Sequence, residues 1–108
     1  MNQITVIGTL GKDPELKYSN NGLAIANLSV ATNYGKDENQ KTTWHYVTVF
    51  GDMAEHVAEA VTKGERVICV GRLEKSQYEK EGVQHTNVSI IADAVGKDLR
   101  FKKREEQW

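Results

Sequence analysis

Residues 43–73 read TWHYVTVFGDMAEHVAEAVTKGERVICVGRL, and this stretch decides the fold. Its first part alternates two sets of side chains, the period-2 pattern of a strand that buries one side. One side carries Trp44, Tyr46, Thr48 and Phe50, and the other carries His45, Val47 and Val49. The valine side predicts a core, so the aromatic side is left for exposure or binding.

A short helix is predicted next. Asp52 and Glu55 have the spacing of a capping box after the strand-breaking Gly51. A narrow apolar stripe follows at helical spacing, with Met53, Val57 and Val61. A lysine and a glycine at 63–64 are typical of a helix end.

A second strand is predicted from Arg66 to Leu73, with one face in the core. Its Cys69 is the only cysteine of the chain and has no CxxC or Cys/His cluster around it. We therefore expect a buried, reduced side chain rather than a disulfide or a metal ligand.

The residues before this stretch predict two strands with a hairpin between them. Gln3–Leu10 is rich in β-branched residues, and Gly8 within it indicates a bulge or a close backbone approach. After a turn at 11–14, a short extended piece at 15–18 and the Asn21-Gly22 pair predict a hairpin. A long strand at 23–32 follows.

The other segments are polar loops and a second hairpin. Tyr34–Thr42 predicts an exposed loop, and residues 79–83 predict a five-residue connection between extended segments at 74–78 and 84–92. The core pattern fades after Val95. We expect one domain over residues 1–96 and a charged, flexible C-terminal tail over 97–108.

This order predicts an all-β fold, a five-stranded OB barrel with one short helix between strands 3 and 4. OB barrels bind oligonucleotides or oligosaccharides on their second and third strands. An ordinary α+β sheet domain is the structural alternative. Fold alone leaves the function open.

Composition narrows the class of protein. The chain has 108 residues and a net charge of −1, so attraction to an anionic partner has to come from local clusters of cations. No apolar run approaches the length of a membrane span, and Met1 leads directly into a strand. We expect a soluble cytoplasmic protein without a membrane partner.

Several motifs in order resemble the bacterial-type single-stranded DNA-binding proteins. They are IGTLGKDPEL at 7–16, Asn21-Gly22, Trp44-His45, VFG at 49–51, Ala54-Glu55, Lys63-Gly64 and VGRL at 70–73. The resemblance spans about residues 2–95 with its spacing kept. The specificity lies in the ordered set rather than in any one motif.

The resemblance implies an OB fold that binds single-stranded DNA, without catalysis or a cofactor, in a cytoplasmic protein associated with the nucleoid. Its stacking aromatics correspond to Tyr34, Trp44, Phe50 and Tyr78. Tyrosine at 34 and 78 departs from the usual tryptophan but keeps a π-face. The family is usually a homotetramer joined through its first strand and sheet packing, which places Ile4, Val6 and His45 at a subunit interface.

Cations near these aromatics would contact phosphate, namely Lys17, Lys36, Lys41, Arg72 and Lys75. Stacking beside phosphate partners suits unpaired bases better than a rigid duplex. The ordinary alternatives are core packing for Trp44 and Phe50 and a solvated surface for the lysines. Tyr34 and Tyr78 lie in polar segments, where core packing is less expected.

Other functions remain as alternatives. His45, His56 and His85 lie on separate elements with no i, i+4 pair, so no metal site is expected. No nucleophile is paired with a base, and an enzyme is the least favoured class. An OB-fold adaptor of primosome type is second. The family's long tail with an acidic tip, which recruits replication and repair proteins, is absent from this sequence, so we expect a truncated or a tail-less member.

Overall fold

The computed structural model describes residues 1–35 and 40–100. Within that part the chain forms six strands and one helix. In chain order they are β1 (Ile4–Leu10), β2 (Glu15–Tyr18), β3 (Ala24–Tyr34), β4 (Lys41–Phe50), α1 (Asp52–Ala60), β5 (Arg66–Lys80) and β6 (Val83–Lys97).

Five of the strands close into a barrel. The sheet order is β1-β5-β6-β4-β3-β2, and β1 also pairs with β3 through Thr9 and Leu10. β4 and β6 run parallel, with Val47 beside Ile90, while the other pairs are antiparallel. The predicted OB barrel is confirmed. β2 is an extra short strand on the edge of β3, so the helix follows the third strand of the barrel but the fourth strand of the chain.

The core follows the predicted alternation. Every second residue is buried from Ala24 to Val30 in β3 and at Val47 and Val49 in β4, because the two faces of a strand point to opposite sides of the sheet. The buried apolar side chains are Val6, Leu10, Ala24, Ala26, Leu28, Val30, Val47, Val49, Ala54, Val57, Val61, Val67, Cys69, Ile90 and Ala92. Most are small or β-branched, as a narrow barrel requires.

Helix α1 packs the bottom of the barrel with Ala54 and Val57. Its start differs from the prediction. Gly51 is the N-cap, with φ 75° and ψ −149°, and no side chain caps the helix, so the predicted Asp52–Glu55 capping box is wrong. Glu55 instead accepts a hydrogen bond from the Tyr18 hydroxyl at 3.0 Å. The helix ends at Ala60, before the predicted lysine and glycine.

The β5–β6 hairpin extends well past the barrel. Residues 72–88 are all exposed, and we call this stretch the arm. Its turn has only two residues, Glu81 at φ 54° and Gly82 at φ 77°, between the paired Lys80 and Val83. Positive φ at both central positions is the geometry that matches the twist of a tight hairpin. The predicted five-residue connection is therefore wrong.

The β3–β4 hairpin is also longer than predicted. Tyr34 is the last residue of β3 and pairs with Lys41, the first residue of β4. The predicted loop from Tyr34 to Thr42 is thus wrong at both ends, where strand pairing continues. Lys36 lies outside the described residues. The hairpin predicted at Asn21-Gly22 is confirmed by the turn in which the Gly22 N–H donates to the Ser19 carbonyl at 2.9 Å.

The backbone of β1 closely approaches β3 at Gly8. A Cβ at this position would collide with the Ala31 carbonyl oxygen and approach a Val30 methyl group to 2.8 Å. The pairing of β1 with β5 stays in register through Gly8, so close approach rather than a bulge explains this glycine. The irregularity lies instead between Val70 and Gly71, where β6 carries one extra residue.

The end of β6 is fastened by a buried carboxylate. Asp98 is only 5% exposed and accepts hydrogen bonds from the Arg100 side chain at 2.7 to 3.1 Å and from Arg66 Nε at 3.3 Å. These guanidinium groups, Arg100 foremost, hold the pKa of Asp98 well below its ordinary value despite burial. The Asp98 N–H also donates to the Arg66 carbonyl at 3.0 Å. Ordered structure therefore continues past residue 96.

Candidate nucleic-acid interface

Three aromatic side chains lie in a row on the solvent side of β4. Trp44 is 48%, Tyr46 58% and Phe50 41% exposed, while Val47 and Val49 between them are buried. This side of β4, with the residues paired beside it on the neighbouring strands, is called the outer face below. Within the single chain the alternative of core packing for Trp44 and Phe50 does not apply.

Small residues beside the row leave the rings open. On β3, Ala31 pairs with Trp44 and Ser29 pairs with Tyr46. The edge of the Trp44 ring rests on the backbone of Gly11, so a Cβ at position 11 would collide with the ring. Gly11 is fixed in turn by its N–H, which donates to the Ser29 carbonyl at 2.9 Å. The indole is thus supported along one edge and accessible elsewhere.

Cations lie on both sides of this row. Ile25 pairs with Phe50 on one edge and with Lys17 on the other, which places Lys17 two strands from Phe50. On the opposite side, Ile91 pairs with both Thr48 and Arg72. Since strands lie about 4.8 Å apart, each cation is roughly 10 Å from the β4 row. That distance is within reach of a nucleotide whose base stacks on the row.

Tyr78 continues the outer face along the arm. It shares the face of Arg72, because the two residues are six apart on one strand. Its ring stacks on that of its cross-strand partner His85, with centroids 5.0 Å apart and an interplanar angle of 17°. Tyr78 remains 46% exposed. The pair forms a stack of two rings, called the Tyr78 platform below.

Three predicted residues are not brought to this face. Tyr34 is 81% exposed, but by the alternation of β3 it lies on the side of the strand that faces the core. Its partner Lys41 lies on the same side of β4. Lys75 pairs with Val88 and lies on the side of the arm opposite Arg72 and Tyr78. The predicted set therefore divides into outer-face residues and residues of the reverse side.

The guanidinium of Arg72 forms an ion pair within the chain. Its Nε lies 3.2 Å from a carboxylate oxygen of Glu74, on the same face of β5, and both side chains are about half exposed. A phosphate approaching Arg72 has to compete with this carboxylate. Lys17, by contrast, makes no ion pair among the described residues.

Of the residues predicted for a subunit interface, one is in the core and two are half-buried. Val6 is 5% exposed and belongs to the core, and Ile4 is half-buried against it. His45 is half-buried, with its Nε2 2.9 Å from the Thr32 hydroxyl of the same chain. The outward side chains of β1 are Thr5 and Ile7, which were not predicted. In the described part, β1 pairs with β3 only at its end, which leaves the edge of residues 4–8 open.

Sequence reasoning also left Tyr46 and His85 out of the site. The alternation of β4 had already placed Tyr46 beside Trp44, so the signal was present. The position of His85 depends on hairpin register, which a two-residue turn sets. A five-residue connection would have placed Gln84 opposite Tyr78 instead.

The described residues group no metal ligands, and the single cysteine lies in the core rather than on the outer face. Among the described residues no three His, Cys, Asp or Glu side chains are grouped to hold a metal ion. Cys69 is free and fully buried, as predicted, and burial raises the pKa of its thiol to about 11. No helix in the described part of the chain is long and apolar enough to cross a membrane.

Comparison with known proteins decides the family. The model of the single-strand binding protein family matches residues 1–98. The chain belongs to the single-strand binding protein family. The resemblance inferred from the ordered motifs is confirmed.

Curated relatives in this family carry the name single-stranded DNA-binding protein. That of Paenarthrobacter aurescens is 40% identical over 106 residues, which cover 91% of this chain and 62% of the relative. That of Corynebacterium glutamicum is 38% identical over 112 residues, covering 96% and 50%. That of Neisseria meningitidis serogroup A is 36% identical over 101 residues, covering 88% and 58%. The chain thus spans between half and two thirds of these relatives' length.

Proposed function

We propose that this chain binds single-stranded DNA on its outer face, without strong sequence preference and without catalysis. The observation that carries the proposal is the exposed aromatic row of β4, in a chain of the single-strand binding protein family. Unpaired bases stack on Trp44 and Phe50, since every base has a π-face. The Tyr78 platform extends this surface along the arm.

Phosphate contacts supply the rest of the affinity. Lys17 and Arg72 flank the row and neutralise phosphates of a strand that follows it. The net charge of −1 makes this local arrangement necessary. Tyr34, Lys41 and Lys75 contact a strand only where it wraps from the outer face around the edge of a hairpin. Lys36 belongs to the same proposal, from outside the described residues.

The proposed assembly is a homotetramer. The open edge of β1 supports this part of the proposal, because an unpaired β-branched strand invites pairing with another strand. A closed symmetric oligomer satisfies that edge. Thr5 and Ile7 then contribute side chains to the interface, together with half-buried Ile4 and His45, and Val6 supports β1 from within the core.

We also propose the biological setting that the family name suggests. The chain protects single strands during replication, recombination and repair, in the cytoplasm at the nucleoid. Proteins of replication and repair would dock on a longer tail where the native protein has one.

A titration of fluorescently labelled oligonucleotides by anisotropy tests the function. An unstructured single strand and a duplex of the same length are compared at equal salt. We expect the single strand to bind at least about 100-fold more tightly, because a duplex hides its bases from the aromatic row. Equal binding of both, or tighter binding of the duplex, would contradict the proposal.

A further inference from the structure

We infer that Tyr46 is a base-stacking platform between Trp44 and Phe50, a role that rests on the proposed DNA binding. Of the three aromatics on the outer side of β4, Tyr46 is the most exposed at 58%. Its hydroxyl makes no hydrogen bond within the described part of the chain. Tyr18 is equally exposed, but its hydroxyl donates to Glu55.

The position of Tyr46 fills a gap in the row. Trp44 and Phe50 are six residues apart on an extended strand, which separates them by about 20 Å. Stacked bases of one strand are about 3.4 Å apart, so a bound strand following β4 would pass several bases between the two rings. Tyr46 lies about 7 Å from Trp44 along the strand and offers a ring in this interval.

The neighbours of Tyr46 leave its ring accessible. Its partner on β3 is Ser29, and the next outward residue on β4 is Thr48, whose hydroxyl donates to Asn27 at 3.3 Å. Both are shorter than a tyrosine ring, so the ring projects above them. The spacing of about 7 Å between Trp44 and Tyr46 is twice the base-stacking distance, so a base on one ring does not stack directly on a base on the other.

Three variants test this role in a titration with an unstructured labelled single strand. Tyr46→Ala removes the ring, and we expect affinity to fall about 5-fold to 150-fold. The slope of log affinity against log salt should stay unchanged, because no phosphate contact is lost. Tyr46→Phe keeps the π-face and should bind within about twofold of the parent. Tyr18→Ala, equally exposed and on the opposite side of its sheet, is the matched control and should bind as the parent does.

A direct contact is then sought by photo-crosslinking with an oligonucleotide that carries 5-iododeoxyuridine. We expect a crosslinked peptide that contains Tyr46 when the substituted base is varied along the strand. Sedimentation of Tyr46→Ala separates stacking from assembly, and the parent mass is expected.

The outcomes separate the two proposals. If the parent prefers single strands but Tyr46→Ala binds as tightly as the parent, the role of Tyr46 is overturned and the DNA-binding proposal stands. A Tyr46→Ala protein that weakens binding only because its oligomer dissociates also overturns the role. A parent with no preference for single strands overturns both.

Discussion

Single side chains on the outer face are expected to contribute to DNA binding in two ways, some by stacking on bases and others by contacting phosphate. Trp44→Ala and Tyr78→Ala should each cost about 1 to 3 kcal/mol of binding free energy for single-stranded DNA, with little change in salt dependence. Affinity is measured over a range of salt. The melting temperature of Trp44→Ala is measured alongside, because its ring also rests on Gly11. Loss of affinity that merely follows loss of fold would argue against stacking.

Glu74 is expected to limit the phosphate contact of Arg72. Its carboxylate holds the guanidinium at 3.2 Å and repels phosphate. Glu74→Gln should therefore tighten binding by about 1.5- to 5-fold, the range of an exposed ion pair. The salt slope should steepen by up to about 0.7, as for one added phosphate contact on a single strand. Glu79→Gln, on the other side of the arm, is the control. An unchanged or weaker affinity of Glu74→Gln would show that Arg72 does not contact phosphate.

Among the strands and hairpins, the sequence predicted which side of a strand is buried more reliably than the residue at which the strand ends. Seven residues of β4 sufficed to separate the buried valines from the exposed aromatics. The polar run at 79–83 has the composition of a loop, so the sequence predicts an interruption where the arm is continuous. Glu81 adopts a positive φ that sequence rarely reveals for glutamate. A five-residue connection also gives the wrong cross-strand partner for Tyr78. The side of β3 on which Tyr34 lies cannot be assigned from a sequence that predicts a loop at this residue.

The turn of the arm is expected to be strained at Glu81. An L-residue with a Cβ pays a steric cost in the left-handed region, and asparagine followed by glycine suits a turn with two positive φ angles. Glu81→Asn should raise the free energy of unfolding by up to about 1 kcal/mol, measured by urea denaturation. Glu79→Asn, in the paired part of β5, should give no such gain. A less stable Glu81→Asn protein would contradict the turn geometry.

For the whole molecule, closure of the barrel depends on contacts distant in sequence. The barrel closes where Thr9 and Leu10 of β1 pair with Ala31 and Val30 of β3, and this pairing could not be predicted from local pattern. The ring of strands was predicted only through element order. How copies of the chain assemble was implied by resemblance, and the open β1 edge gives that expectation a physical basis.

Asp98 should make the stability of the fold pH-dependent. Its pKa is depressed in the folded chain, so its contribution is complete above the unfolded value of about 3.9 and is lost as the pH falls toward the folded value. Asp98→Asn should melt at a lower temperature than the parent at pH 7, and the difference should shrink below about pH 4. The exposed Asp93→Asn is the control. A difference that stays constant with pH would show that the ion pairs do not contribute.

The assembly is tested by sedimentation equilibrium at micromolar concentration. We expect the parent to sediment as a tetramer. Ile7→Lys places a charge on the outward side of β1 without disturbing the core, and it should shift the protein toward smaller species. A monomeric parent, with or without DNA, would contradict the proposed pairing of β1.

The emission of Trp44 during DNA binding tests the central claim most directly. The chain has two tryptophans, so Trp108→Phe leaves Trp44 as the only one. If the outer face binds single strands, Trp44 emission is quenched, and the quenching saturates at the same DNA concentration as the anisotropy of the labelled strand. Saturated anisotropy with unchanged Trp44 emission would place the DNA elsewhere and contradict the account.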